Sequence, residues 1–172
     1  MGKTTGEHRL AHLSLGSNLS ERERHIKEAL RQLERLGCVG TVSSLYETEP
    51  VEYIQQPWFL NCAAELETGL EPLDLLAGIL EIEKSQGRMR SDSPPKGPRT
   101  IDIDILLLAD TILKSPDLTI PHPAMQYRRF VLEPLAEIAP DVRHPLLQLT
   151  VREMLEALAP GPSVRRYGSQ EL

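Results

Sequence analysis

RTIDIDILLLA, residues 99–109, carries the clearest secondary-structure pattern in the sequence. Residues 100–105 alternate strictly between polar and apolar residues, and residues 106–108 form a continuous apolar run. Alternation with a period of two is typical of a strand with one buried face, because successive side chains point to opposite sides. We therefore predict a strand over Arg99–Ala109. Asp102 and Asp104 are expected on one face of it, which Leu106 and Leu108 continue.

Hydrophobic periodicity upstream of this strand predicts three more strands and two helices. Ser20 followed by Glu23 indicates a capping box at the start of helix one, and Gly37 indicates its C-cap. The order is βαββαβ, which predicts an α+β, ferredoxin-like sandwich, an antiparallel sheet with helices packed on it. In chain order the upstream elements are strand one, helix one, strand two, strand three and helix two, over His8–Leu15, Ser20–Gly37, Thr41–Thr48, Phe59–Glu67 and Pro72–Gly87.

The remainder of the chain is expected to form a C-terminal helical appendage. Residues 130–138 favour a short helix interrupted near Pro134, and Thr150 with Glu153 favours a capping box for a last helix that runs to Leu158. We predict one domain over residues 8–160, between a flexible N-terminal tail of residues 1–7 and a C-terminal tail of residues 161–172. The sequence shows no internal repeat that would divide this domain.

Composition excludes several classes of protein. Of the 172 residues, 40% are hydrophobic and 26% charged, and no apolar run approaches the roughly 18 residues of a membrane span. The net charge of −6 argues against a general nucleic-acid surface, which needs an extended basic face. The polar first residues lack a secretory signal, so a cytoplasmic location is expected.

The pair Asp102 and Asp104 is the strongest functional signal. Residues two apart on a strand share a face, with Cα atoms about 6.5–7 Å apart. Carboxylates placed this way repel each other unless a cation sits between them, and Mg²⁺ accepts such oxygen ligands when substrate phosphates complete its shell. A solvated polar face on an edge strand is the alternative interpretation.

Basic residues cluster in the loop before this strand. An excess of positive charge in an acidic chain is a candidate phosphate clamp, because arginine holds phosphate oxygens in bidentate fashion. An ordinary salt-bridged surface with nearby Glu81, Glu83 and Asp92 is the alternative. Farther along, Arg128 and Arg129 near His122 are a second candidate source of positive charge. The first cluster comprises Lys84, Arg88, Arg90, Lys96 and Arg99.

At this point the sequence resembles a known family, the 6-hydroxymethyl-7,8-dihydropterin pyrophosphokinases. The resemblance spans roughly residues 10–140, and the composite of its motifs in this order is far more specific than any one of them. The motifs are GRMR at 87–90, GPRTIDIDIL at 97–106, LGSNL at 15–19, YETEP at 46–50, QPWFLN at 56–61, and PH at 121–122 followed by RRF at 128–130.

The resemblance implies a role for each matching residue. Asp102 and Asp104 are implied to hold two Mg²⁺ ions, and with Arg88 and Arg90 they are the implied catalytic residues. In the implied pterin site, the rings of Phe59 and Phe130 stack on the pterin and Asn61 hydrogen-bonds its edge. Backbone groups near Thr48 and Val51 complete the implied site. The implied ATP site consists of Glu83, Arg88, Arg90, Lys96, Arg99, His122 and Arg128.

The implied reaction moves the pyrophosphoryl group of ATP to the pterin hydroxymethyl oxygen and releases AMP. The sequence departs from the family pattern at Lys96, at the Pro94-Pro95 loop and at Asp117, which bear on lid closure and adenine binding. The family favours a monomer whose partners are small molecules alone. Two rivals stay open, a different two-metal phosphotransferase or nuclease, and a regulatory domain that binds a small ligand.

Overall fold

A six-stranded antiparallel sheet surrounds the central strand β1, Arg9–Ser17, in the computed structural model, which describes residues 7–51, 54–87 and 100–168. Strand β4, Phe59–Thr68, pairs with one edge of β1, and β5, Asp102–Leu108, pairs with the other. The predicted strands one, three and four therefore lie side by side, and the strand prediction for residues 59–67 is confirmed.

The far side of β4 is shared by two short strands. β2, Cys38–Val42, and β3, Tyr46–Thr48, both pair with it, and β3 also pairs with β8, Val164–Arg166. Two further strands, β6 over Leu113–Lys114 and β7 over Thr119–Ile120, form a separate hairpin.

Two helices cover one face of the sheet, α1 over Arg22–Leu33 and α2 over Pro72–Ser85. They pack on the inward side chains of the three long strands, so the alternation read from the sequence gives the main core. Its buried members include Leu13, Leu15, Ile26, Leu60, Cys62, Leu66, Leu75, Ile79, Ile103 and Ile105.

The opposite face carries α3, Arg129–Ile138, and α4, Val151–Ala157. A second buried cluster joins them to the sheet through Leu106, Leu107, Leu132, Leu135 and Met154. The C-terminal helices are thus a second layer on the sheet, whereas the sequence suggested an appendage. Together the sheet and four α-helices of the described residues make an α+β fold.

Several predicted boundaries are wrong for local reasons. Strand two is split between β2 and β3, because the Ser43 hydroxyl replaces a backbone acceptor and takes the hydrogen bond of the Ala63 N–H at 2.9 Å. Helix one has no capping box; its N-cap is Glu21, in a left-handed conformation with φ 61°. The predicted C-cap, Gly37, lies beyond the helix end and instead lets the chain approach the Glu67 carbonyl oxygen, against which a Cβ would clash.

The later elements give a mixed result. Helix α3 continues through Pro134 without interruption, while the capping box of α4 is confirmed, with the Glu153 N–H donating to Thr150 Oγ1 at 3.1 Å. Leu108 belongs to the main core and not to the face of Asp104, because the pairing of β1 with β5 shifts register and reverses the alternation. Residues 164–166, assigned to a tail from the sequence, form β8.

Among the described residues, none of the helices has the length and apolar character to cross a bilayer.

Candidate active site

The site lies on a row of residues that crosses the sheet. Asp102 of β5 is opposite Gly16 of β1, Gly16 is opposite Asn61 of β4, and Asn61 is opposite Tyr46 of β3. Residues in one such row present side chains to the same face. Two strand spacings separate Asp102 from Asn61, which places their backbones about 10 Å apart.

A cleft opens above this row between the sheet and the start of α3. It brings together the predicted metal pair, the predicted pterin residues and Arg128, which the chain separates widely. Its lining consists of Ser14, Gly16, Thr48, Glu49, Pro50, Val51, Gln56, Phe59, Asn61, Asp102, Asp104, Arg128 and Phe130.

Asn61 is buried at the floor of the cleft, and its orientation is fixed. Its Nδ2 donates a hydrogen bond to Thr48 Oγ1. Its Oδ1 lies against Gly16, so close that a Cβ on residue 16 would stand 2.5 Å from that oxygen. Gly16 was not predicted as a site residue. It becomes one through the pairing of β1 with β4, which sets it beside Asn61.

Aromatic rings and a guanidinium form the walls. Phe59 begins β4 and Phe130 lies in the first turn of α3, both half-buried, and the Arg128 guanidinium carbon lies 5.6 Å from the centre of the Phe130 ring. This distance is within the range of a cation–π contact. The wall near α3 is therefore apolar at the ring and cationic at its edge.

His122 lies beside this cleft, although it does not line it. Burial, and next the charge of Arg128, lower the pKa of its imidazole, while the charge of Asp102 opposes them. Its Nδ1 accepts a hydrogen bond from the Ala124 N–H at 3.1 Å, so in the neutral ring Nε2 carries the hydrogen. His122 is thus prepared as a neutral donor.

Glu83 is placed differently from the other predicted residues. It is buried on α2, 2% exposed, and its Oε1 accepts a hydrogen bond from the Ile103 N–H at 3.0 Å. This contact ties α2 to the strand that carries Asp102 and Asp104. The described lining of the cleft does not include Glu83.

The carboxylates of Asp102 and Asp104 suit Mg²⁺. Both are partly exposed and line the same cleft, while Ile103 between them points into the core. Within the described ranges no group of three or more histidine, cysteine or acidic residues could enclose a metal ion. Mg²⁺ is commonly held by one or two carboxylates with waters and substrate phosphates, so a pair in an open cleft fits it.

Four predicted nucleotide ligands, Arg88, Arg90, Lys96 and Arg99, lie outside the described residues. Their roles stay predictions. The described part of the site is thus the carboxylate pair, the floor and walls around Asn61, and the Arg128 side of the opening.

Residues 12–140 match the family model of 7,8-dihydro-6-hydroxymethylpterin-pyrophosphokinase, HPPK. The chain belongs to this family. Bacterial proteins named 2-amino-4-hydroxy-6-hydroxymethyldihydropteridine pyrophosphokinase agree with the match. The one from Pseudomonas aeruginosa is 47% identical over 136 residues, which are 78% of this chain and 83% of that protein. The one from Bacillus subtilis is 44% identical over 135 residues, 77% and 80% of the two chains.

Longer relatives contain a similar region within a larger protein. The folic acid synthesis protein fol1 of Schizosaccharomyces pombe is 41% identical across 95% of this chain, but the chain spans only 22% of that protein's length. The fold is similar to that of Plasmodium falciparum HPPK-DHPS crystallised with pterin and p-hydroxybenzoate. That comparison has a TM-score of 0.70 at 20% identity and covers 90% of this chain and 44% of the other.

Proposed function

We propose that this HPPK-family chain transfers the pyrophosphoryl group of ATP to the hydroxymethyl oxygen of 6-hydroxymethyl-7,8-dihydropterin and releases AMP, a step of folate biosynthesis. The observation that carries the proposal is the single cleft that joins a carboxylate pair to two aromatic rings and a buried amide. A two-metal nuclease would need the carboxylates without the amide and rings. A regulatory ligand-binding domain would need no carboxylate pair.

The metal side of the proposal rests on Asp102 and Asp104. These residues would hold Mg²⁺, and we propose two ions. Bound there, Mg²⁺ would neutralise phosphate charge and make an alcohol oxygen more nucleophilic. Glu83 would help to hold the pair in position, because it accepts the hydrogen bond of the Ile103 N–H and so ties α2 to the strand that carries both aspartates.

The pterin side of the proposal rests on Asn61, Thr48 and the two phenylalanines. An amide carries two N–H donors and one carbonyl acceptor, and Asn61 gives one N–H to Thr48. One donor and the acceptor can then meet the donor–acceptor edge of a flat heterocycle. Phe59 and Phe130 would stack on its faces, and backbone groups at Thr48 and Val51 would complete recognition.

The nucleotide side of the proposal involves His122 and Arg128 at the opening. A neutral imidazole with a hydrogen on Nε2 and a permanent cation beside it are suited to phosphate oxygens. As the new O–P bond forms and AMP leaves, the alcohol proton would pass to solvent, because an alcohol oxygen polarised by bound Mg²⁺ does not demand a strong general base. Arg88, Arg90, Lys96, Arg99 and Glu83 are proposed to complete the ATP site.

Three further proposals concern the topology, the oligomeric state and the location of the protein. We regard the βαββαβ part of the chain as ferredoxin-like, on the basis of strand order β5-β1-β4 followed by the divided second strand. A monomer and a cytoplasmic location stay predictions.

The test is AMP release from Mg-ATP, measured with and without the hydroxymethyl pterin. AMP formation that requires the pterin supports the proposal. ADP formation, or hydrolysis indifferent to the pterin, would favour the phosphotransferase rival. Pterin binding without any turnover would favour the regulatory domain.

A further inference from the structure

The C-terminal strand β8 runs along the strand that carries Thr48. Val164 is opposite Thr48, Arg165 opposite Glu47 and Arg166 opposite Tyr46. The pairing continues at both ends, because the Glu49 N–H donates to the Ser163 carbonyl at 3.0 Å and the Tyr167 N–H to the Leu45 carbonyl at 2.8 Å. Residues 163–167 therefore hold the whole of β3 and Glu49, which follows β3 and lines the cleft.

A charged cluster behind the cleft adds side-chain contacts to this pairing. Glu47 accepts hydrogen bonds from Arg165 at 2.6 Å and from Arg22 at 2.9 Å, and Arg165 lies over the ring of Trp58 at 5.1 Å. Arg22 also donates to the Trp58 carbonyl at 2.9 Å. The hydrogen bonds from Arg165 and then Arg22 hold the pKa of Glu47 below its ordinary value.

Strand alternation connects this cluster to the cleft. Glu47 directly precedes Thr48, and Trp58 directly precedes Phe59, so each pair sends one side chain to the rear and one toward the cleft. A displacement of the rear side chains would displace the backbone that carries Thr48 and Phe59. Val164 also contributes to the groove on the outer side of Phe130.

A second link runs from β8 to the helix that carries Phe130. Arg166 lies 3.7 Å from Glu137 of α3, and the same carboxylate accepts hydrogen bonds from the Tyr46 hydroxyl at 2.6 Å and from the Ser44 hydroxyl at 2.8 Å. Strand β8 thus contacts Trp58, the residue before Phe59, and α3, the helix that carries Phe130. Strand β8 pairs with β3, whereas the strand that carries Asp102 and Asp104 is held by β1 and α2.

We propose that β8, through Arg165 and Arg166, is a positioning element that holds the pterin-facing walls at their working separation. This inference rests on the proposed function. It goes beyond simple protection of a sheet edge, because edge protection predicts a loss of stability that is indifferent to the substrate. A positioning role predicts an effect on the pterin that the nucleotide does not share.

The test compares the wild-type chain with Arg165→Gln, a chain ending at Pro162, and Arg152→Gln as the matched control. Arg152 makes an exposed ion pair with Asp141 at 3.2 Å, and neither residue belongs to the contacts of β8 described above. Trp58 is the chain's single tryptophan, so its emission reports whether the Arg165 contact has been lost. KM for each substrate and kcat are measured from AMP release at saturating concentration of the other.

In both β8 variants, KM for the pterin should rise at least about fivefold while KM for ATP changes by less than about twofold, since small displacements of positioning groups cost this much. Trp58 emission should change in the absence of substrate. The inference is overturned if emission changes without a selective rise in the pterin KM, if both KM values rise in proportion, or if Arg165→Gln leaves emission unaltered. If the shortened chain does not fold, Arg165→Gln alone decides, because its side chain is 68% exposed. An inactive wild type and Arg152→Gln would instead reject the proposed function.

Discussion

Gly16→Ala is the perturbation whose outcome the structure defines most sharply. The added Cβ would stand 2.5 Å from Asn61 Oδ1, whereas ordinary contacts begin near 3.4 Å, so the amide must retreat by close to an ångström. The Phe59 ring, at 3.7 Å, need not move. The substitution is therefore directed at the buried amide alone.

The expected cost follows from the hydrogen bonds that Asn61 is proposed to make with the pterin. An amide rotated away from its bond to Thr48 no longer meets the pterin edge, and a hydrogen bond lost at a buried polar group costs about 1–3 kcal/mol. Converted at about 1.4 kcal/mol per factor of ten, this is a loss of roughly 5- to 140-fold in pterin affinity. ATP binding should change little, because the displaced amide of Asn61 is not among the groups proposed to contact ATP.

The assay is KM for the pterin and for ATP, with Gly40→Ala as the matched control in the same sheet. A Cβ at Gly40 meets its nearest atom, the end of the Glu65 side chain, at 3.4 Å and should be tolerated. In an Asn61→Ala background, Gly16→Ala should add little, because the atom it displaces is gone. A pterin KM within about twofold of wild type, or an equal effect in both backgrounds, would refute the reasoning.

Three further predictions concern the metal pair, the rings and acid stability. Asp102→Asn and Asp104→Asn should each reduce turnover by orders of magnitude. Neither should lower the thermal midpoint in the absence of Mg²⁺, since either substitution removes like-charge repulsion. Near-normal turnover of both variants would contradict the metal assignment. Phe59→Ala and Phe130→Ala should each weaken pterin binding by about 1–3 kcal/mol, and equal calorimetric losses for ATP would make the rings merely structural. Burial raises the pKa of Glu137, but hydrogen bonds from a tyrosine and a serine outweigh it and hold the pKa below its ordinary value. The stability from Glu137 is therefore present above the ordinary pKa of a glutamate and is lost as the pH falls through the lower folded value, so Glu137→Gln should flatten the acid limb of the unfolding profile.

The features predicted correctly from the sequence are those with a strong local period. Strand alternation over residues 59–67 separates Cys62 from Asn61, and alternation around Ile103 separates the core from Asp102 and Asp104. A strand with its apolar face in the core and its polar face toward a cleft shows this difference as alternation in its own sequence. The Thr150 capping box is similarly local and was predicted correctly.

Features that depend on a distant partner were missed or wrong. β8 is only three residues long and becomes a strand because β3 offers it an unpaired edge. The division of strand two depends on the Ser43 hydroxyl meeting the Ala63 N–H, and the reversal at Leu108 depends on a register shift against β1. Gly16 acquires its role only when β1 and β4 are paired. These contacts join segments that are far apart in the sequence, so a local sequence pattern cannot predict them.

Family resemblance contributed what periodicity could not, namely the chemistry assigned to each residue. Alternation alone left a solvated polar face as an alternative for Asp102 and Asp104. The cleft brings this pair together with Phe59, Asn61 and Phe130. It therefore favours a two-substrate site over a charged surface.

Product analysis by phosphorus NMR is the most direct test of the central claim. The wild-type chain is incubated with Mg-ATP and 6-hydroxymethyl-7,8-dihydropterin, and all phosphorus-containing products are quantified. AMP and a pterin pyrophosphate ester are expected in equal amounts, with neither formed when Mg²⁺ is chelated. Formation of ADP with a pterin monophosphate, or of free pyrophosphate with an unmodified pterin, would contradict it.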